Sequence, residues 1–184
     1  METPAIDRLA GEGTRFLNAF ATTPLCSPSR AAILTGQYVH TNGIIDNTAR
    51  DSATHRLNTF AIPLREAGYE TGFFGKWHMG NDDSRRPGWS HWVAMKGQGE
   101  ATNPNLNVDG ERLATQGYVT DVLTDYVVDF MARFSASMES KICFDTIGAS
   151  PSDGSSSMMT RGFSTSARPS SSICCCPPES VFAS

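Results

Sequence analysis

The chain has 184 residues and a formal net charge of −4, enough length to bury a sizeable core in one domain. An acidic balance without a basic stripe excludes nucleic acid as the expected partner. No apolar run reaches transmembrane length, the N-terminus lacks the basic-then-apolar pattern of a signal peptide, and the five cysteines form no evenly spaced disulfide framework.

In chain order, Thr3-Pro4-Ala5-Ile6-Asp7-Arg8-Leu9 predicts a capped helix that ends at Gly11 or Gly13. Thr14-Arg15-Phe16-Leu17-Asn18-Ala19-Phe20 reads as a short strand leading toward Cys26. In the segment Cys26-Ser27-Pro28-Ser29-Arg30-Ala31-Ala32-Ile33-Leu34-Thr35-Gly36, Ser27 suits an N-cap and Pro28 the first helical position. Gly36 suits the position just past the helix end. Cys26 would then face backbone N–H groups and the positive end of the helix dipole, an environment for a thiolate, an oxyanion or a bound tetraoxo anion. Arg30, one turn along, can return its guanidinium fork to the same spot. On these residues alone two readings stand: an anion-binding nucleophile site, or a structural cysteine before a helix with Arg30 as a solvated charge.

Leu57, Phe60, Leu64 and Ala67 share one helical face, with Pro63 near the first turn. Thr71 to Phe74 reads as a buried strand broken by Gly75, after which Lys76 and His78 point to one side of an extended segment. Such a pair suits anion binding and proton transfer, or is a solvated strand edge. Residues 81–110 read as a long loop carrying Arg85, Arg86, Trp89, His91, Trp92 and Lys96, either a connection tucked onto the core or a platform for sulfated sugars. Val119, Val122, Leu123, Tyr126, Val127, Phe130, Met131 and Phe134 give a buried helical face over Thr120–Phe134, capped by Thr120 or Asp121. Asp82-Asp83 read as loop carboxylates. Residues 135–184, rich in Ser and containing Cys174-Cys175-Cys176-Pro177-Pro178, read as an irregular or disordered tail behind a domain at 1–134. Adjacent thiols without a nearby histidine make a poor zinc site, and a shifted reading frame accounts for the change of character.

The run from Cys26 to Gly36 resembles the first signature of the type I sulfatases, and Gly68-Tyr69-Glu70-Thr71 with Gly75-Lys76-Trp77-His78 resembles the second. Arg86-Pro87-Gly88-Trp89, Lys96-Gly97-Gln98-Gly99 and Asn105-Leu106-Asn107-Val108-Asp109-Gly110 resemble glucosamine-6-sulfatases and mucin-desulfating relatives. The resemblance implies an α/β fold, part of an alkaline-phosphatase-like domain with helices packed on a mixed sheet. It also implies that Cys26 is oxidised to Cα-formylglycine by a formylglycine-generating enzyme. One hydroxyl of the hydrated aldehyde would attack sulfur, releasing the alcohol and leaving a sulfated enzyme, and the second would then expel sulfate by collapse to the aldehyde. In that scheme Arg30 stabilises developing charge, Lys76 binds sulfate, and His78 moves the hydrate proton.

The implied substrate is a sulfated carbohydrate or another sulfate ester, with Arg86, Trp89 and Lys96 as candidate sugar contacts. A divalent cation, usually calcium in this family, would touch position 26 as formylglycine. The paired metal aspartates would lie ahead of Met1, and the later ligands past the helix at 120–134, so the chain alone is expected to lack sulfatase activity. A non-catalytic sulfated-glycan binder is the alternative, with phosphoryl or phosphonate transfer on the same scaffold ranked below it. Relatives are commonly periplasmic, secreted or lysosomal, and no leader is recognised in this chain.

Overall fold

The computed structural model describes residues 2–135, 141–147 and 158–164. In chain order the elements are α1 (Pro4–Glu12), α2 (Cys26–Thr35), α3 (Val39–Asn42), α4 (Asp51–Thr54), α5 (Ala61–Glu66), β1 (Tyr69–Lys76), β2 (His91–Met95), β3 (Asn105–Val108), β4 (Glu111–Ala114), α6 (Val119–Ser135), β5 (Lys141–Ile147) and β6 (Met158–Ser164). The strands form one mixed sheet in the order β4-β3-β2-β1-β5-β6. β1 runs parallel to β2 and β5, whereas β3, β4 and β6 are added antiparallel. Helices on a mixed sheet are the α/β arrangement expected from the sequence. Among the described residues, no helix is long and apolar enough to cross a membrane.

β1 explains why the core has two halves. From Thr71 to Lys76 every residue is buried, as happens when a strand is covered on both faces. Successive side chains leave opposite faces. Phe73 enters a cluster with Ala31 and Leu34 of α2, Ala61 of α5, and Trp77, Trp89 and Trp92. Phe74, its neighbour, enters a second cluster with Val119, Leu123 and Phe130 of α6. β2 alternates the same way, with Trp92 and Ala94 on the first side and Val93 and Met95 on the second.

Several sequence expectations shift. Thr14–Phe20 is not a strand: Phe16, Leu17 and Phe20 are 78%, 77% and 89% exposed. A strand needs a neighbour for its N–H and C=O groups, and no described strand pairs with this run. Gly75 does not break β1; it is held at φ 135 within it. The helix expected over 57–67 is confined to Ala61–Glu66, which puts Pro63 in its first turn. The long loop after β1 contains β2 and β3: β2 pairs with β1 and β3 with β2, and their apolar residues enter both core clusters. α6 opens at Val119, so Thr120 and Asp121 sit in its first turn instead of capping it. Within the segment read as an irregular tail, residues 141–147 and 158–164 are strands, since the free edge of β1 accepts β5 in parallel register. The cysteines at 174–176 lie outside the described residues.

Gly72 is a point of close approach between the sheet and α6. A Cβ there would lie 2.5 Å from the Phe74 ring and 3.2 Å from the Phe130 ring. Gly72→Ala is expected to destabilise the chain by about 1–3 kcal/mol through overpacking, read from denaturant midpoints. A polar replacement of exposed Val128 should move the same midpoint by no more than about 0.5 kcal/mol.

Candidate active site

The site forms where the start of α2 meets the closing end of β1. Leu25 has the extended backbone of an N-cap (φ −130, ψ 148), so the helix starts at Cys26 itself. Ser27 is therefore not the cap, and Pro28 falls at the third helical position, where a missing N–H still costs no intrahelical bond. Gly36 ends the helix in the left-handed region at φ 67, as expected. Ser27 is occupied otherwise: its N–H donates to Asn47 Oδ1 (3.0 Å), and its hydroxyl donates to the His78 carbonyl. One turn on, the buried Arg30 guanidinium donates from Nη1 to the Lys76 carbonyl at 2.5 Å. These bonds lock the two signature segments together. Between Lys76 and His78, Trp77 is 1% exposed and anchors the turn in the core. His78 has a left-handed backbone at φ 47, a conformation uncommon for residues other than glycine.

The electrostatics follow from this crowding. Lys76 is buried, and its ammonium donates to Gln98 Oε1. Burial pushes its pKa down, attraction to Cys26 opposes that, and the neighbouring Arg30 charge adds to the depression. His78 is pushed down to about 4 by burial first, then by the positive charges of Lys76 and Arg30. Its imidazole is thus neutral at pH 7, and its buried Nδ1 has no hydrogen-bond partner among the described residues. Cys26 is a free, half-buried thiol. A neutral imidazole, a half-buried thiol and two positive charges are together suited to hold an anion and pass a proton.

Of the expected site residues, Cys26, Arg30, Lys76 and His78 come together, whereas the sugar contacts do not join them. Arg86 is 2% exposed; it donates to the Asp82 carbonyl (2.6 Å), the Ser84 carbonyl and Ser84 Oγ (3.2 Å), and lies 5.5 Å over the Trp77 ring. Trp89 is buried edge-on against Phe60 and Phe73, with ring centroids 5.8 and 5.7 Å apart. Lys96 is exposed just past β2. An arginine and an indole on a glycine-rich loop read equally as surface or core, and here the core takes them. Asp82 and Asp83 remain structural. Asp82 meets His55 at 2.7 Å, a contact that holds its carboxyl well below the usual range, and Asp83 pairs with Arg112 at 2.6 Å. Sequence reasoning did not single out Gln98 or Asn47; the signal for Gln98 was its place between two glycines in Lys96-Gly97-Gln98-Gly99.

A divalent cation does not fit the described residues. No cluster of three or more His, Cys, Asp or Glu side chains that could hold a metal ion exists among them, and a hard cation needs six or more oxygens.

The sulfatase family model matches residues 1–142. The chain belongs to the sulfatase family. It is 40% identical over 134 residues to the N-acetylglucosamine-6-O-sulfatase of Bacteroides thetaiotaomicron, a match covering 71% of this chain and 23% of that protein. It is 33% identical over 144 residues to the human N-acetylglucosamine-6-sulfatase, covering 67% of this chain and 26% of the relative. The chain thus spans only 23% and 26% of the length of these curated relatives. A solved structure in complex with its substrate D-glucosamine-2-N,6-O-disulfate superposes with a TM-score of 0.70 at 36% identity, over 78% of this chain and 28% of that one. A sulfatase from Pseudoalteromonas sp. shares the fold with a TM-score of 0.65 at 20% identity, over 82% of this chain and 39% of that one. The sulfatase chain carries both segments expected from its sequence, Cys26–Gly36 and Gly68–Gly80, within the matched region.

The depressed pKa of His78 makes a signed prediction. Between about 4 and 6.5 the unfolded chain binds a proton at this histidine that the folded chain does not, so stability falls as pH drops through that window. His78→Gln should remove this component of the pH dependence in urea-unfolding curves. In the parent chain the His78 ring resonance should titrate with a midpoint near 4.

Proposed function

We propose that Cys26, Arg30, Lys76 and His78 are the nucleophile precursor and anion clamp of a sulfuric ester hydrolase. Its substrate would be a sulfated sugar such as 6-sulfated N-acetylglucosamine. The observation that carries this is the pair of ties from α2 to the end of β1, Ser27 to the His78 carbonyl and Arg30 to the Lys76 carbonyl. They bring a cysteine, two cations and a neutral imidazole to one place. The glucosamine preference rests on the names of the similar proteins.

Oxidised to formylglycine by a formylglycine-generating enzyme and hydrated, position 26 supplies a nucleophilic hydroxyl and a second hydroxyl that provides the exit route. The chain's own residues do the rest. Lys76, poised on Gln98 Oε1, turns its ammonium to the sulfate oxygens, a charge-assisted contact stronger than the neutral one it leaves. Arg30 adds fixed positive charge beneath the developing oxyanion without reorganising, since its carbonyl partner holds it. Neutral His78 accepts a proton, and a bound anion beside Lys76 and Arg30 offsets the charges that depress its basicity.

The second reading, a sulfated-glycan binder without turnover, needs only the paired positive charges of Arg30 and Lys76 beside position 26. Phosphoryl or phosphonate transfer ranks lower, because nothing in the Cys-Ser-Pro-Ser-Arg context favours it over sulfuryl chemistry.

Calorimetric titration of the chain with glucosamine 6-sulfate should show binding that Lys76→Ala weakens by about 1.5–3 kcal/mol, the worth of a hydrogen bond to a charged group. Binding unchanged in Lys76→Ala would overturn the clamp. Mass spectrometry of the peptide carrying residue 26, after co-expression with the modifying enzyme, should find an aldehyde in place of the thiol. Release of sulfate by the modified chain would discard the binder reading.

A further inference from the structure

The Lys76 ammonium donates to Oε1 of Gln98, a residue 22 positions further along the chain. Gln98 is carried by a tight turn that leaves β2 beside the end of β1. Lys76 lies opposite Met95, the last residue of β2. The chain then turns through Lys96-Gly97-Gln98-Gly99, closed by the Gly99 N–H donating to the Lys96 carbonyl at 3.0 Å. Gly97 (φ 54) and Gly99 (φ 75) both adopt a left-handed backbone, and a Cβ on Gly99 would lie 2.5 Å from Met95 Sδ. Met95 is a buried residue of the core, so the turn is pressed onto a fixed neighbour. The path of the backbone at Gln98 is therefore set by the sheet, although its side chain lies at the surface.

The surroundings of Lys76 make such a partner necessary. Among the described residues, the titratable groups that face it are Cys26 and Arg30 of α2, with His78 just past β1. On the neighbouring strand β2 presents apolar Met95, and the pairing with β5 ends one residue earlier, at Gly75. Lys96 and Glu100 flank the turn but are exposed, and Glu100 Oε2 accepts from Asn105 Nδ2 at 3.3 Å. Burial and the Arg30 charge both push the Lys76 pKa down, toward a neutral amine that could not hold an anion. An amide oxygen on the ammonium acts in the opposite sense, because a hydrogen bond to the charged form favours that form. Being neutral, this oxygen holds the ammonium less strongly than a sulfate oxygen would, and it adds no charge that repels one.

We propose that Gln98 is a positioning residue for Lys76, which keeps the buried ammonium charged and in place while the site is empty and releases it to an incoming sulfate. The inference rests on the reading of Lys76 as a sulfate ligand, but it is observed on Lys76 itself before any ligand is added. It also accounts for an amide at this position. A carboxylate at residue 98 would hold Lys76 as an ion pair and repel the sulfate. An apolar side chain would leave a buried ammonium without its acceptor.

The test is a pH titration of the Lys76 side-chain NMR resonances in the unliganded whole chain, compared between the parent, Gln98→Ala and Gln98→Glu. Both replacements fall on an exposed turn and leave its glycines in place. Relative to the parent, the Lys76 midpoint should fall in Gln98→Ala and rise in Gln98→Glu. Binding of N-acetylglucosamine 6-sulfate, whose sulfate keeps one charge throughout, is then followed by calorimetry against pH. In Gln98→Ala the loss of binding on raising the pH should begin at lower pH. In Gln98→Glu the affinity at neutral pH should drop by about tenfold. The same midpoint in all three proteins, a shift of one sign in both variants, or parent affinity in Gln98→Glu would overturn the assignment. Midpoints that part as expected, with the sugar bound by none of the three, would fail the sulfated-sugar reading and leave the link from Gln98 to Lys76 standing.

Discussion

The bond from the buried Arg30 guanidinium to the Lys76 carbonyl is the constraint on which the site depends. A guanidinium cannot shed its charge, and burying one without partners costs several kcal/mol. Arg30 therefore allows α2 to dock only where a carbonyl is presented to it, and the last residue of β1 presents one. The Ser27 hydroxyl on the His78 carbonyl adds a second point of registration. With two points held, Cys26 at the helix start has little freedom relative to Lys76 and His78. The geometry of the clamp is thus a by-product of satisfying backbone carbonyls just past a strand.

The strand can serve this way because it is gripped from both sides. Phe73 and Phe74 are adjacent in sequence yet belong to different halves of the core, one under α2 and α5, the other under α6. Sliding β1 by one residue would exchange these rings and empty both clusters. The close approach of Gly72 to Phe130 adds to the same fixation. Lys76 thereby inherits the rigidity of the sheet, and His78 follows just past its end, the preorganisation that the proposed anion site would need.

The connection from β1 to β2 shows the opposite relation between residues and role. Its arginines and tryptophans suit a sugar surface by type, yet Arg86 and Trp89 became the packing of the loop against α5 and the Trp77 ring. Asp51, Asp82 and His55 complete that packing by a chain of hydrogen bonds, from the Asp82 N–H to Asp51 and from His55 to Asp82. Side-chain type cannot distinguish an arginine that meets solvent from one that meets three loop acceptors. Only the path of the backbone decides.

By itself the sequence determined the family, the α/β class, the helices at α2 and α6 and the strand at β1, and it singled out the four residues that the fold brings to the start of α2 and the end of β1. These are carried by local signals: glycine at a left-handed helix end, apolar spacing at helical period, and short motifs whose residue types are chemically specific. The tertiary structure decided what local signals cannot contain. It left Thr14–Phe20 unpaired, drew β2 and β3 out of a presumed loop, and added β5 to the edge of β1, because a strand exists only through its neighbour. It also assigned Gln98 to Lys76 and Asn47 to Ser27 across long sequence separations, and moved Arg86 and Trp89 from surface to core. Hydrogen-bond satisfaction of buried groups is a three-dimensional account, and a one-dimensional pattern cannot close it.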